Sequence, residues 1–212
     1  MVALTDIVVC VATAVEGDGL PASVGRTRLI QVRTGVGLVN AAFALTRCLG
    51  EVRPRAVIAC GIGGAYPGSD LAIGDVVAAA QETYGDLGAT SPEGFLDMEA
   101  LALPVIDGSP PLFNRLPLDL FPAARRVPFV TCSACTGTDE QALAIAARTG
   151  GAVESMEGAA IVQVARLSHI PVGEIRGISN IAGRRDRASW RIEEAAAAAR
   201  RALVDWIEAG GC

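Results

Sequence analysis

The sequence predicts an α/β protein whose sheet is covered by helices on both faces. Apolar, strand-like runs alternate along the chain with segments of helical periodicity. The strand-like runs, IVVCV, AVIACG and DVVAAA among them, are apolar almost without interruption, as strands buried on both sides are. With 212 residues, 51% of them hydrophobic and 19% charged, the chain is long enough to bury a sizeable core, and a single domain over residues 1–212 is expected.

Taken in order, LTDIVVCVATA (4–14) reads as a first strand and RTRLIQVRTG (26–35) as a second. LVNAAFALTRCLG (38–50) has helical spacing and is expected to end at Gly50. RAVIACG, GDVVAAAQETY and VPFVTCSACTG read as the third, fourth and fifth strands. DEQALAIAART is a helix, AVESM a short strand, EGAAIVQVARLSH a helix and VGEIRGISNIAG a strand. RIEEAAAAARRALVDWIEAG closes the chain as an amphipathic helix. The stretch from 85 to 126 breaks the alternation with Gly and Pro, and irregular segments of that length in compact domains usually serve function.

Several functions are excluded by composition. A net charge of −5 offers no basic face for nucleic acid and no polybasic strip for anionic lipid. The apolar N-terminus lacks a basic leader and carries Asp6 and Glu16, so it reads as a buried strand rather than an export signal. No apolar run approaches the roughly 18 residues of a membrane span. A cytoplasmic protein is expected, with its six cysteines reduced. Cys132-Ser-Ala-Cys135 is a C-x-x-C without a second ligand pair, and His169, the one histidine, is far from it in sequence. No metal and no cofactor are expected.

The acids of ESMEGAA (154–160) stand out in so apolar a chain. Glu154 and Glu157 fall where a strand ends and a helix begins, and an N-terminal helix position would by itself favour an acid. Glu16 follows the first strand directly. Gly61, Gly63 and Gly64 follow the third strand, either as a tight turn or as backbone that lets a bulky ligand approach. The G-x-G of RTGVGLVNAA lacks the third glycine and the later acid of a dinucleotide fingerprint.

The ordered set TAVEGD, TGVGLVNAA, CGIGGAYPGSDLAIGDVV, ESMEGAAIVQVA and EIRGISNIAG resembles the purine nucleoside phosphorylase and methylthioadenosine/S-adenosylhomocysteine nucleosidase superfamily over nearly the whole chain. The resemblance implies a three-layer α/β/α sandwich around a mixed, partly closed sheet, assembly into dimers or larger, and cleavage of a purine–ribose bond. The closing stretch SNIAGRRDRASWRIEEAA resembles the branch that hydrolyses a 6-oxopurine nucleoside ending in a benzoate.

By that resemblance Glu157 takes the ribose hydroxyls, Met156 packs under the sugar, Glu154 lies near the attacking water, and Glu16 activates it. A carboxylate bonded to sugar hydroxyls strengthens its hold as the ring becomes cationic. Gly61, Ile62 and Gly63 would border the substrate. Phosphorylases of the family carry an Arg and a Ser or Thr where this chain has Ala59 and Ile62, neither able to donate a side-chain hydrogen bond to phosphate. Arg26 and Arg28 are the cations that could substitute.

Adenine-releasing members carry Asp at the position of Asn180, whereas Asn is the choice for 6-oxopurines, so hypoxanthine is the expected leaving base. The stacking aromatic of the family aligns with Cys135, which leaves Phe95 or Phe129 for stacking and the backbone of Thr136 to edge the base. Arg184, with Arg185 and Arg187, would suit a distal carboxylate, and Trp190 is expected to pack. The residues leave open a phosphorylase, a nucleosidase acting on methylthioadenosine, and a non-catalytic nucleoside-binding module. The last needs no water-activating acid beside Glu157.

Overall fold

The structure, a computed structural model, describes residues 5–211. Leu4, at the head of the expected first strand, and Cys212 lie outside the described residues. The elements in chain order are β1 (Thr5–Val11), α1 (Ala14–Gly17), β2 (Ser23–Val24), β3 (Thr27–Arg33), α2 (Leu38–Glu51), β4 (Ala56–Ala65) and β5 (Val76–Tyr84). They continue with β6 (Gly88–Ser91), β7 (Gly94–Asp97), β8 (Arg115–Pro117), β9 (Arg126–Thr131), α3 (Asp139–Thr149), β10 (Val153–Ser155), α4 (Gly158–Leu167), β11 (Val172–Ile181) and α5 (Ile192–Glu208).

The central sheet is mixed and runs β10-β9-β5-β11-β4-β1-β3-β2, with β8 added on β5. β11 runs parallel to β4 but antiparallel to β5. The far end of the sheet folds back, because β10 pairs with β9 and also, through Val153 and Glu154, with Ala65 and Gly64 of β4. This return closes β4, β11, β5, β9 and β10 into a ring and carries Glu154 to the end of β4.

Alternation along the buried strands makes the three layers. Val8 and Cys10 of β1, with Val57 and Ala59 of β4, pack with Ala41 and Leu45 of α2 and Ala159 and Val162 of α4. The intervening Ile7, Val9 and Ile58 face Ala199, Leu203 and Ile207 of α5 on the opposite side. Truncating a fully buried leucine such as Leu203 to alanine removes about 2–5 kcal/mol. Among the described residues no helix is long and apolar enough to cross a membrane.

Some boundaries differ from the sequence expectation. α2 runs through Gly50 to Glu51; the stop comes from Pro54, which disfavours helix at the residue before it. Gly61, Gly63 and Gly64 form no turn, for β4 continues through them to Ala65, paired with β11 and β10. Residues 85–126 contain the β6–β7 hairpin and β8, each too short to show a period.

Candidate active site

The carboxyl ends of β1, β4, β10 and β11 surround a cavity of about 380 Å³, within the range of small-molecule sites. Its wall includes Thr13 and Glu16 after β1, Ile62 to Gly64 of β4, Thr136, Glu154 to Glu157, Asn180, and Arg184, Arg185 and Trp190 from the loop beyond β11.

Glu16 is the third residue of α1 and is buried. Its Oε2 accepts from the Thr13 N–H at 2.9 Å and the Thr13 hydroxyl at 3.1 Å, and its Oε1 accepts from the Ile62 N–H at 3.0 Å. A Cβ on Gly61 would stand 2.2 Å from Glu16 Oε1, so this glycine makes room for the acid. Gly61 itself is therefore not part of the cavity wall, whereas Ile62 and Gly63 are.

Glu157 stands at the N-cap position of α4 but makes no capping bond with its side chain. Its Oε1 accepts instead from the Gly37 N–H at 2.9 Å. Gly37 has φ +93°, a backbone that favours glycine, and it opens α2 with its N–H directed at the carboxylate. Burial pushes the Glu157 carboxyl above its ordinary range, against the pull of Arg176.

Between these acids lies Arg176, which the sequence reading missed. Its Nη1 is 3.8 Å from both Glu16 Oε1 and Glu157 Oε2 and donates to the Ile62 carbonyl at 3.1 Å. Its Nε donates to Glu174 at 2.7 Å. Burial works against its charge, but Glu174, Glu157 and Glu16 outweigh burial and hold it cationic. The signal was GEIRGI, an acid and a cation two apart inside an otherwise apolar strand, where charges are rare unless paired.

Glu154 does not join this cluster. Its oxygens accept from the Thr136 hydroxyl at 3.0 Å and the Thr136 N–H at 3.3 Å, and burial raises its carboxyl. The β10–β4 pairing sets it beside Gly64, whose Cβ would lie 3.4 Å from Glu154 Cγ and 3.1 Å from Asn180 Nδ2. Glu154 thus sits with Asn180 and Thr136 on the cavity wall. Asn180 Oδ1 accepts from the Ser179 hydroxyl at 2.8 Å and Nδ2 donates to the Ile181 carbonyl at 3.1 Å, which leaves one amide hydrogen unused.

Neither expected stacking ring lines the cavity. Phe129 is 0% exposed in the core, and Phe95 lies under Arg148, 4.0 Å from ring centroid to guanidinium. Trp190 lines the wall instead, with Arg185 5.1 Å from its ring centroid, while Arg184 pairs loosely with Asp139 at 3.9 Å. Arg28 is bonded to Asp6, and neither it nor Arg26 reaches the cavity. Burial pushes the thiols of Cys132 and Cys135 up to about 12 and about 11, the opposite of a reactive pair. Among the described residues no cluster of three His, Cys, Asp or Glu side chains is placed to hold a metal ion.

A mixed, partly closed sheet with this cavity at its strand ends defines a class, and the chain belongs to it: the model of the phosphorylase superfamily matches residues 15–208. Within that superfamily it groups with futalosine hydrolases. The futalosine hydrolase of Thermus thermophilus is 36% identical over 185 residues, covering 84% of this chain and 80% of the relative. That of Streptomyces coelicolor is 37% identical, covering 67% of this chain and 60% of the relative. Among solved structures, the S-adenosylhomocysteine nucleosidase of Streptococcus pyogenes, in complex with 5-methylthiotubericidin, superposes with a TM-score of 0.82. At 22% identity, covering 98% of each chain, that likeness speaks for the fold.

Proposed function

We propose that the protein hydrolyses the N-glycosidic bond of futalosine, releasing hypoxanthine and dehypoxanthine futalosine in menaquinone biosynthesis by the futalosine pathway. The observation that carries this reading is the sorting of polar groups along one cavity. Glu16 and Glu157 of the cavity wall meet around Arg176 behind it, and Glu154, Thr136 and Asn180 form a second polar group on the same wall.

In this reading the ribose lies on Met156 and donates its hydroxyls to Glu157. As the bond to the purine nitrogen breaks, the electron pair leaves with the base and positive charge grows on the ring, which the Glu157 carboxylate opposes. A water held at Glu16 gives that carboxylate its proton as it attacks the anomeric carbon. Asn180 turns its unused amide hydrogen on the 6-oxopurine as negative charge arrives there, and Glu154 and Thr136 border the same base. Arg184, Arg185 and Trp190 of the cavity wall are assigned to the aromatic acid of the substrate.

Water is favoured over phosphate as acceptor. Ala59 is a core residue, Ile62 offers no hydroxyl, and the buried cation at the site is already shared among three acids. A phosphate dianion would meet net negative charge. In this reading the protein works in the cytoplasm as a homo-oligomer; the exposed apolar ridge of Val39 and Phe43 on α2, beside cavity residue Val36, supports a second copy there. Incubation of purified protein with futalosine, with and without inorganic phosphate, tests the proposal by free base released. Hypoxanthine at equal rates in both is expected, and strict dependence on phosphate would move the protein to the phosphorylases.

A further inference from the structure

Behind the cavity wall lie two acids that the proposed chemistry does not use. Glu82 on β5 and Glu174 on β11 are both 0% exposed. They converge on the first residue of α4: a Cβ on Gly158 would stand 2.4 Å from Glu82 Oε1 and 2.5 Å from Glu174 Oε2. Only glycine fits between them.

The polar partners of the two acids are unevenly filled. Glu82 Oε1 is bonded to the Thr131 hydroxyl and Glu82 Oε2 to the Thr83 N–H at 3.3 Å. Glu174 Oε1 accepts from Arg176 Nε at 2.7 Å, whereas Glu174 Oε2 is buried with no hydrogen-bond partner. The charged and titratable groups around the pair are Arg176 on β11, Glu157 at the head of α4 and Glu16 on α1, with Tyr84 of β5 beside Glu82 and Cys60 of β4 beside Glu174. One guanidinium facing four buried carboxylates leaves charge uncompensated in a dry interior, which is costly. A single proton held by the Glu82–Glu174 pair removes one negative charge from this interior.

We propose that Glu82 and Glu174 share one proton across Gly158, and that the pair is a positioning device for Arg176, holding its Nε so that its Nη1 faces Glu16 and Glu157. Burial raises both carboxyls, in keeping with a retained proton. Glu174 and Glu82 touch no reacting atom; they act through Arg176 on the two acids that do. The inference rests on the nucleosidase reading only where activity is the readout.

Two measurements on the whole protein address the proton directly. The infrared difference spectrum of wild type minus Glu82→Gln at pH 7 should show one protonated-carboxyl C=O band; its absence would mean an ionised Glu82 and overturn the pair. Stability against pH gives the second. A folded Glu82 that keeps its proton above the pH at which the unfolded chain loses it makes wild type less stable as pH rises through that window, by up to about tenfold in the folding constant per pH unit. Glu82→Gln should remove one proton from that slope, and an unchanged slope would contradict the proposal.

Positioning is read from kcat/KM against pH for futalosine. Glu174→Gln leaves more of the Arg176 charge to the cavity carboxylates, so the acid limb should move to lower pH with KM little changed. Glu82→Gln, replacing a neutral acid by a neutral amide, should leave the limb in place. An unmoved limb in folded Glu174→Gln, or an equal displacement in both variants, would refute the positioning role. Should futalosine prove not to be a substrate, the infrared and stability measurements still decide the shared proton.

Discussion

The carboxylate of Glu157 accepts the N–H of Gly37 at 2.9 Å, across 120 positions of sequence, and so ties the head of α4 to the head of α2. The head of α2, with the partial positive charge of its unpaired N–H groups, is thus turned on an acid carried at the head of α4. Its second oxygen faces Arg176 and the cavity, at 3.8 Å from the guanidinium. A side chain that only capped its own helix would accept from that helix, and Glu157 does not.

Replacing Glu157 with Gln should leave the fold intact, because an amide oxygen still accepts from Gly37. The charge opposing the sugar cation is lost, and kcat should fall about 10²- to 10³-fold, the usual effect of removing one electrostatic stabiliser. Thermal melting alongside steady-state base release checks both halves. Normal turnover in a well-folded variant would remove Glu157 from the mechanism.

Glu16→Gln makes a different error. Three donors converge on the Glu16 carboxylate, from Thr13 N–H, Thr13 hydroxyl and Ile62 N–H, and an amide NH2 would face one of them. More directly, the amide accepts no proton from water, so kcat should drop about 10²- to 10⁴-fold with KM within a few-fold. A variant whose KM rises while kcat holds would show that Glu16 binds substrate rather than activating water.

The pH dependence follows from burial of Glu157. The proposed mechanism uses Glu157 ionised, and burial holds its carboxyl above the ordinary value of 4.5, so it takes up a proton at a higher pH than an exposed glutamate does. The acid limb of kcat/KM should therefore lie above the ordinary carboxylate range, with activity falling as pH drops through it. A profile flat down to the pH of acid unfolding would contradict this.

Asn180→Asp tests the base end. The amide donates to the Ile181 carbonyl at 3.1 Å, and a carboxylate there would repel that carbonyl unless it carried a proton. The variant should cleave futalosine more slowly, losing a hydrogen bond worth roughly 1–3 kcal/mol, about 5- to 150-fold. A protonated Asp could instead serve N7 of adenine, so activity on methylthioadenosine should hold or rise. Rates on the two nucleosides, measured side by side, decide it.

How far the site was legible depended on whether a residue acts from a strand end or from inside the sheet. Glu16, Glu157 and Asn180 follow or close strands, where an apolar run breaks off into polar residues, and the break shows in one dimension. Arg176 does not: its partners lie on α1, β11 and at the head of α4, and only strand pairing brings them together. The place of Glu154 depended on the antiparallel return of β10 to β4, which no local pattern encodes. Open space for a ligand and room for a neighbouring carboxylate leave the same mark in sequence, and at Gly61 the neighbour is the Glu16 carboxylate. Phe129, inside an apolar strand, packs in the core as its setting suggests, and Trp190 lines the cavity where packing was expected.

The central claim is that this cavity reads a 6-oxopurine and passes its sugar to water, and the ratio of kcat/KM for futalosine to that for methylthioadenosine, measured without phosphate, tests it most directly. With Asn180 in place of the adenine-directed acid, hypoxanthine release from futalosine should exceed adenine release from methylthioadenosine by at least the roughly 5- to 150-fold that one buried hydrogen bond provides. Faster release of adenine from methylthioadenosine would contradict the account.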